Sequence, residues 1–499
     1  MINLINVPIA DSIVNNYKSL PWILPALWIV GTLIANIIIQ LIAKNDQQYI
    51  YQYLTTILGL LGTLYASVKI KQQISIQKEI ILFNNLLQLN SWSTYVHLLL
   101  IGTTLCIVLS LIYNKQASKD SEYIGVYLLM ILATLLGAYL LVISYHWLLV
   151  YVSIGCMTIS STALIYENGY RTANILASTR YLIYSVVASA IMLVGLSCLY
   201  GSTGTLALNK FITYNEAALS PLRYICPIGF ILTLSGLLMS MGSFPFQFWV
   251  ADIYQHTAFS TVAYLSTVPK LAAIAFLVRL HQAAIQASPS MDILLKSLWA
   301  CIAMATMVVG HLGALTTKDA KKLLAYGSIA QTGFLLAILA TDMSTYTHAT
   351  YYIIVYSIMN LASWFGLQML SYHTKSFSIE AFRGLGHPLT VGGMSFLVVM
   401  LTLIGLPPTA GFSAKLLIFN QLWKSAQLSE NILLTSLFII SILGTILALY
   451  YYLKLPYILF FKSRKLQIAP MYNWPMQILI LLLAILLVGL SFINKLFIN

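Results

Sequence analysis

Two lysines stand where lysines are expensive. Lys270 lies about halfway along the apolar stretch Phe259–Leu280, and Lys415 follows four residues after the interrupted segment Gly405–Leu–Pro407–Pro408–Thr–Ala–Gly411. An ammonium at membrane depth costs about 2.5–3.5 kcal/mol on insertion scales. Burial without a counter-charge disfavours the charged form, so an amine held there can give up and regain a proton near neutral pH. The plainer alternative is that each lysine reaches back to a headgroup surface or sits in a small water pocket with no traffic. Snorkelling is harder for Lys270, which is deeper in its span than Lys415. All 13 acidic residues fall in loops or at the ends of apolar segments, so neither lysine has an obvious carboxylate partner.

The elements that position these amines follow from composition. Of 499 residues, 60% are hydrophobic and 8% charged, and apolar runs of about 20 residues, enough to span a bilayer as a helix, recur along the whole chain. The expected fold is an all-α polytopic membrane protein with about fourteen spans, near 20–43, 50–70, 91–113, 123–143, 145–166, 176–200, 222–241, 259–280, 291–315, 322–341, 347–371, 389–421, 431–453 and 473–494. The first run starts too late and runs too long for a cleaved signal peptide. The net charge of +13 is scattered through short loops, which suits lipid headgroups and topology signals rather than nucleic acid. With Lys270 and Lys415 set aside, 14 basic residues fall on one side and 10 on the other, a modest bias that puts both termini outside the cytoplasm. Cys106, Cys156, Cys198, Cys226 and Cys301 lie in separate apolar segments, with no spacing for a zinc site, an iron–sulfur cluster or a disulfide framework.

Two spans are interrupted. The seventh ends in Gly242–Ser–Phe–Pro245, and the twelfth holds Pro407 and Pro408 between Gly405 and Gly411. Paired Gly/Pro interruptions at matching places in two halves point to inverted repeats with discontinuous helices. Two ordinary proline kinks are the alternative. The single transmembrane domain 1–499 then divides into N-terminal helices 1–3 (1–121), a first five-helix repeat (122–285), a second (286–455) and a C-terminal helix (456–499).

The stretch Pro245–Phe–Gln–Phe–Trp–Val–Ala–Asp–Ile–Tyr254 resembles the motif PFHxW-[TV]-PD-[VA]-Y of the proton-channel subunits of respiratory complex I, most closely subunit N of bacterial NADH–quinone oxidoreductase, the counterpart of mitochondrial subunit 2. Leu323–Leu–Ala–Tyr–Gly–Ser–Ile–Ala–Gln331 is similar to the family's LLAYSSIAH, and Gly405–Leu–Pro–Pro–Thr–Ala–Gly–Phe–Ser–Ala–Lys415 to its GIPPTAGFIGK. The resemblance covers spans four to thirteen. It implies a membrane-arm subunit that moves protons while partner subunits carry NADH, FMN, iron–sulfur clusters and quinone, with no cofactor on this chain. Its surroundings would be other membrane-arm subunits, lipid, protons and water, in the bacterial inner membrane.

The resemblance also implies a relay of a fifth-span glutamate paired with a seventh-span lysine, then an eighth-span lysine (Lys270) and a twelfth-span lysine (Lys415). The first two are missing here. The glutamate position falls near Gly155 and the seventh-span lysine on Ser240; Gln331 replaces a histidine and Ala251 a proline, and Arg180 keeps a charge near the start of span six. Ser240 can pass a proton along a chain without titrating, and His146 and His311 are candidate substitutes that titrate near neutral pH, although a plain interfacial role is the commoner use of such histidines. The alternatives are a structural subunit of the same complex with a degenerate proton lane, and a cation/proton antiporter subunit of the same fold.

Overall fold

The computed structural model describes residues 16–42, 48–74, 79–112, 121–166, 172–208, 225–287, 289–341, 347–374, 376–429, 431–463 and 474–493. Of the charges used for orientation, Lys44, Lys78, Lys115, Lys119, Arg171, Lys210, Arg223, Lys375, Arg464, Lys465 and Lys495 lie outside the described residues.

Among the described residues, twelve helices are long and apolar enough to cross a membrane, and two shorter apolar helices, Ile225–Met241 and Thr390–Ile404, end at the two expected interruptions. In chain order they are α1 (Leu24–Ile42), α2 (Gln48–Ile74), α3 (Ser91–Ile112), α4 (Ser121–Ile143), α5 (Trp147–Tyr166), α6 (Thr172–Thr203), α7 (Ile225–Met241), α8 (Phe248–His256), α9 (Phe259–Leu265), α10 (Val268–Ala287), α11 (Pro289–Thr316), α12 (Ala320–Leu339), α13 (Thr347–Thr374), α14 (Thr390–Ile404), α15 (Ala410–Ser429), α16 (Ile432–Phe461) and α17 (Trp474–Ile493). Two runs share one order: three unbroken helices, a broken fourth, then a fifth. They are α4, α5, α6, α7/α8, α9–α10 and α11, α12, α13, α14/α15, α16. Five crossings are an odd number, so a second such run starts from the opposite face of the bilayer. α16 is continuous through residue 455.

Burial sorts the helices into a centre and a rim. α9–α10, α12 and α13 are covered on nearly every side, whereas α1, α6, α16 and α17 turn most of their side chains outward. Their exposed large side chains are mostly Leu, Ile, Val and aromatics, as a lipid-facing surface requires.

Each broken helix stops at a left-handed glycine, Gly242 (φ 63°) after α7 and Gly405 (φ 87°) after α14, and each turn contains a cis X–Pro bond, Phe244–Pro245 and Pro407–Pro408. A positive φ costs an L side chain about 1–2 kcal/mol and glycine nothing comparable. Gly411 answers a different need. A Cβ there would fall on the Thr402 carbonyl oxygen, so the absence of a side chain lets α15 pack against the end of α14.

A third interruption was not expected. The eighth span is split by a turn at Ser266–Thr267 into α9 and α10, two residues before Pro269. Proline has no N–H to donate to the preceding turn, and its ring clashes with the carbonyl there. Within the turn, the Ser266 carbonyl accepts from the Tyr356 hydroxyl (2.8 Å) and the Asn360 amide (3.0 Å), both on α13.

Strands also occur. β1 (Glu79–Leu82) and β2 (Leu87–Asn90) form an antiparallel hairpin between α2 and α3. Arg279, counted from sequence as a loop charge, is buried beneath it, donating to the Gln88 side chain (2.6 Å) and the Val142 carbonyl (2.9 Å). Lys321, likewise counted as a loop charge, is buried between the rings of Phe259 and Phe377 and donates to the Thr257 carbonyl (2.7 Å). It ties the start of α12 to the start of α9. Asp319 caps α12 by accepting from the N–H groups of Lys321 and Lys322.

Two predictions follow from these contacts. Gly411→Ala lowers the Tm of the purified assembly, with a cost of about 1–3 kcal/mol for overpacking, while Gly31→Ala, whose Cβ meets nothing within 4 Å, leaves Tm unchanged in the same thermal scan. On the loop before α14, Lys462 hydrogen-bonds Glu380 (3.2 Å) and, with Arg383 (3.1 Å), holds its carboxyl below the ordinary carboxylate range. A lowered folded-state value stabilises above the unfolded value and is lost as pH falls through the folded one. The Tm difference between wild type and Glu380→Gln is therefore present at neutral pH and closes as the medium becomes more acid than the carboxylate range.

Candidate functional site

α12 is the element on which the two lysines converge. Lys270, the third residue of α10, is fully buried. Its Nζ donates to the Ser328 hydroxyl (2.8 Å), the Thr332 hydroxyl (3.0 Å) and the Ser328 carbonyl (3.3 Å), all on α12. Ser328 and Thr332 are four residues apart, so they share one face of the helix one turn apart. The split at Ser266–Thr267 restarts the helix just before Lys270.

Lys415, on α15, is also buried. Its Nζ donates to the carbonyls of Ile404 (2.8 Å) and Leu403 (3.0 Å), the last residues of α14, and sits 4.9 Å from the centre of the Phe334 ring. The interruption at Gly405 leaves those carbonyls without the helical N–H groups that would otherwise take them, and the negative end of the α14 dipole favours a cation. Gln331 of α12 donates to the same Leu403 carbonyl (3.1 Å), and its own side-chain oxygen accepts from Tyr352 (2.8 Å). Ser328, Gln331 and Thr332 thus place polar groups of one helix beside both amines. Among the described residues, the hydrogen bonds of Lys270 and Lys415 go to hydroxyls and carbonyls, and no carboxylate takes part.

Of the other sequence candidates, all but His311 fall elsewhere. The Ser240 hydroxyl donates back to the Leu237 carbonyl of its own helix (2.8 Å). A Cβ on Gly155 would meet nothing within 4 Å. His146 lies between α4 and α5, where its Nδ1 accepts from the Leu148 N–H (3.3 Å) and partial burial lowers its pKa. Arg180 pairs with Asp252 at 3.6 Å, and both side chains are exposed. Gly242 and Pro245 shape the first break, which the Phe244 N–H fastens to the Thr306 hydroxyl of α11 (3.1 Å). Next to that break the rings of Tyr181, Trp249, Tyr254 and Trp364 meet edge to face in series, with centroids 5.0, 5.8 and 5.7 Å apart. His311 is buried on α11, and its Nδ1 is 3.1 Å from the Tyr451 hydroxyl of α16.

Sequence reasoning missed Ser328, Thr332, Tyr352, Tyr356 and Asn360. Ser328 lies inside the LLAYSSIAH-like stretch and Thr332 directly after it, and that stretch marked the region without saying which side chains face the lysine. Pro269 was the available signal for the split before Lys270.

With this geometry in place, known proteins can be compared. Residues 144–444 match a family described as NADH:quinone oxidoreductase/Mrp antiporter, TM. The NADH-quinone oxidoreductase subunit N 2 of Chloroherpeton thalassium is 31% identical over 374 residues, 72% of this chain and 70% of the relative. The chain belongs to the subunit N family of NADH-quinone oxidoreductases. A chain of the respiratory complex I structure from Thermus thermophilus with bound aureothin superposes with a TM-score of 0.76 at 25% identity, covering 95% of this chain and 98% of the other. A chain of the Mrp complex from Dietzia sp. DQ12-45-1b shares the fold, with a TM-score of 0.79 at 17% identity over 95% and 94% of the two chains.

The Lys270 pocket has a structural test. Ser328→Ala with Thr332→Val leaves the buried amine only the Ser328 carbonyl, and a lost buried partner costs about 1–3 kcal/mol. The Tm of the double variant falls clearly, whereas Ser363→Ala, which removes only a hydroxyl bonded to its own helix, changes Tm little.

Proposed function

We propose that the chain carries protons across the membrane as a membrane-arm subunit of an NADH–quinone oxidoreductase, a translocase in which NADH, FMN, iron–sulfur clusters and quinone are handled by partner subunits. The observation that carries this reading is the pair of buried amines, each beside a helix interruption and both facing α12. In the proposed relay, Lys270 holds a proton at Nζ. Its hydroxyl neighbours can accept one hydrogen bond while donating another, so they serve both the charged and the neutral amine. Lys415 meets two carbonyls, which either form of the amine can serve, with the negative end of the α14 dipole favouring the ammonium. A proton arriving near Ser328 would pass along α12 and settle at Lys415. Both termini are assigned to the non-cytoplasmic side of the bacterial inner membrane.

A second reading, a structural subunit with an idle lane, draws support from Ser240, bonded within its own helix, and from the open space at Gly155. Against it, Lys270 is held by hydroxyls that need no amine to satisfy them, so its burial has no evident structural need.

Reconstituted complex carrying Lys270→Ala or Lys415→Ala separates the two. The expected result is full assembly with fewer protons moved per NADH oxidised, read from vesicle acidification alongside NADH consumption. Unchanged coupling in a fully assembled complex favours the idle lane. Cation exchange driven by a pH jump, in cells lacking the NADH-oxidising subunits, would instead indicate an antiporter.

A further inference from the structure

Gln331 lies between the two lysines at a position where a titrating group would shorten the route, and an amide cannot take up and release a proton. A buried imidazole lies close by. His311 on α11 is 2% exposed, and its Nε2 has no hydrogen-bond partner among the described residues. Its ring packs edge-on against Phe334 of α12 (centroids 6.4 Å apart), whose face also receives the Lys415 ammonium. The Nδ1 side opens onto hydroxyls. Tyr451 is 3.1 Å away, the Tyr451 and Tyr452 rings lie 4.5 Å apart, and the Tyr452 hydroxyl interacts with both Tyr451 and Gln331. Gly327 leaves the room into which that hydroxyl fits. The titratable groups around His311 are therefore Lys415 on α15 and the two tyrosines on α16. Gly444 of α16 completes its wall.

We propose that His311, reached through the hydroxyls of Tyr452 and Tyr451, is the group that holds the proton between Lys270 and Lys415, in place of the side chain at position 331. The proposal rests on the proton-carrying function above and adds a residue and a route to it. The proton balance is simple. Lys270 gives up a proton; Tyr452, which reaches the α12 face at Gln331, gains one and passes its own to Tyr451, which gives its hydroxyl proton to the lone pair on Nδ1. The imidazolium so formed releases its Nε2 proton, the neutral amine of Lys415 takes one up, and each hydroxyl ends with the one proton it began with. No bond other than O–H and N–H changes.

The test uses the whole complex reconstituted in vesicles, with subunit content checked in every variant, and compares Lys270→Ala, His311→Asn, and His311→Asn combined with Gln331→His. The expected result is that His311→Asn lowers the ratio of protons moved to NADH oxidised as far as Lys270→Ala does. Restoring an imidazole at position 331 then recovers it, with a changed pH profile. If Lys270→Ala leaves the ratio intact, the proton-carrying function itself fails. If Lys270→Ala lowers the ratio and His311→Asn does not, the function stands and His311 is not on the route. A loss in His311→Asn that Gln331→His does not recover, with the pH profile unmoved, assigns His311 to packing and overturns the proposal. A loss that is recovered, or a shifted profile, supports it.

Discussion

A helix interrupted inside a bilayer leaves backbone carbonyls that no water can satisfy, and much of this molecule is arranged around that constraint. The three interruptions in the two halves are answered in kind. Leu403 and Ile404 give their carbonyls to Lys415 and Gln331. Ser266 gives its carbonyl to Tyr356 and Asn360. At the first break, Met239 takes the Trp249 indole N–H. A partner that satisfies a carbonyl at that depth must itself be polar, so the repair of each break brings donors into the centre of the protein. Lys415 and Gln331 belong both to those repairs and to the surroundings of the candidate proton route.

The two halves use the same device with different chemistry. Around Lys415 the partners are charged or amide groups. Around the first break they are large rings, Tyr181, Trp249, Tyr254 and Trp364, stacked edge to face. Where relatives of this family are expected to carry a glutamate and a lysine, this chain has the open flank of Gly155 and a serine bonded to its own helix. Aromatic volume keeps that region closed without placing titratable charge in it.

The sequence made the interruptions at Gly242 and Gly405 readable because Gly and Pro act locally, through φ and a missing N–H. It made the lysines readable because a charge in an apolar run is conspicuous against its neighbours. The split before Lys270 carried the same kind of signal in Pro269, but one proline preceded by Thr and Val reads as a kink. The acceptors on α12 were a different matter. A helix buried on nearly all sides has no polar face, so periodicity cannot say that Ser328 and Thr332 rather than Ser363 meet the amine. Arg279 and Lys321 were misplaced for a related reason. Charge counting treats a basic residue near a span end as solvated, whereas one is covered by a hairpin and the other clasped by two rings. The hairpin lies in a short link where strand alternation has little length in which to show.

The turn at Ser266–Thr267 has a mechanical consequence. α13 grips the turn through Ser266, and four residues on α12 grips the chain through Lys270. The short segment between the two grips works like the arm of a balance. A slide of α13 along α12 would therefore carry the turn with it and shift the amine against the Ser328 and Thr332 hydroxyls.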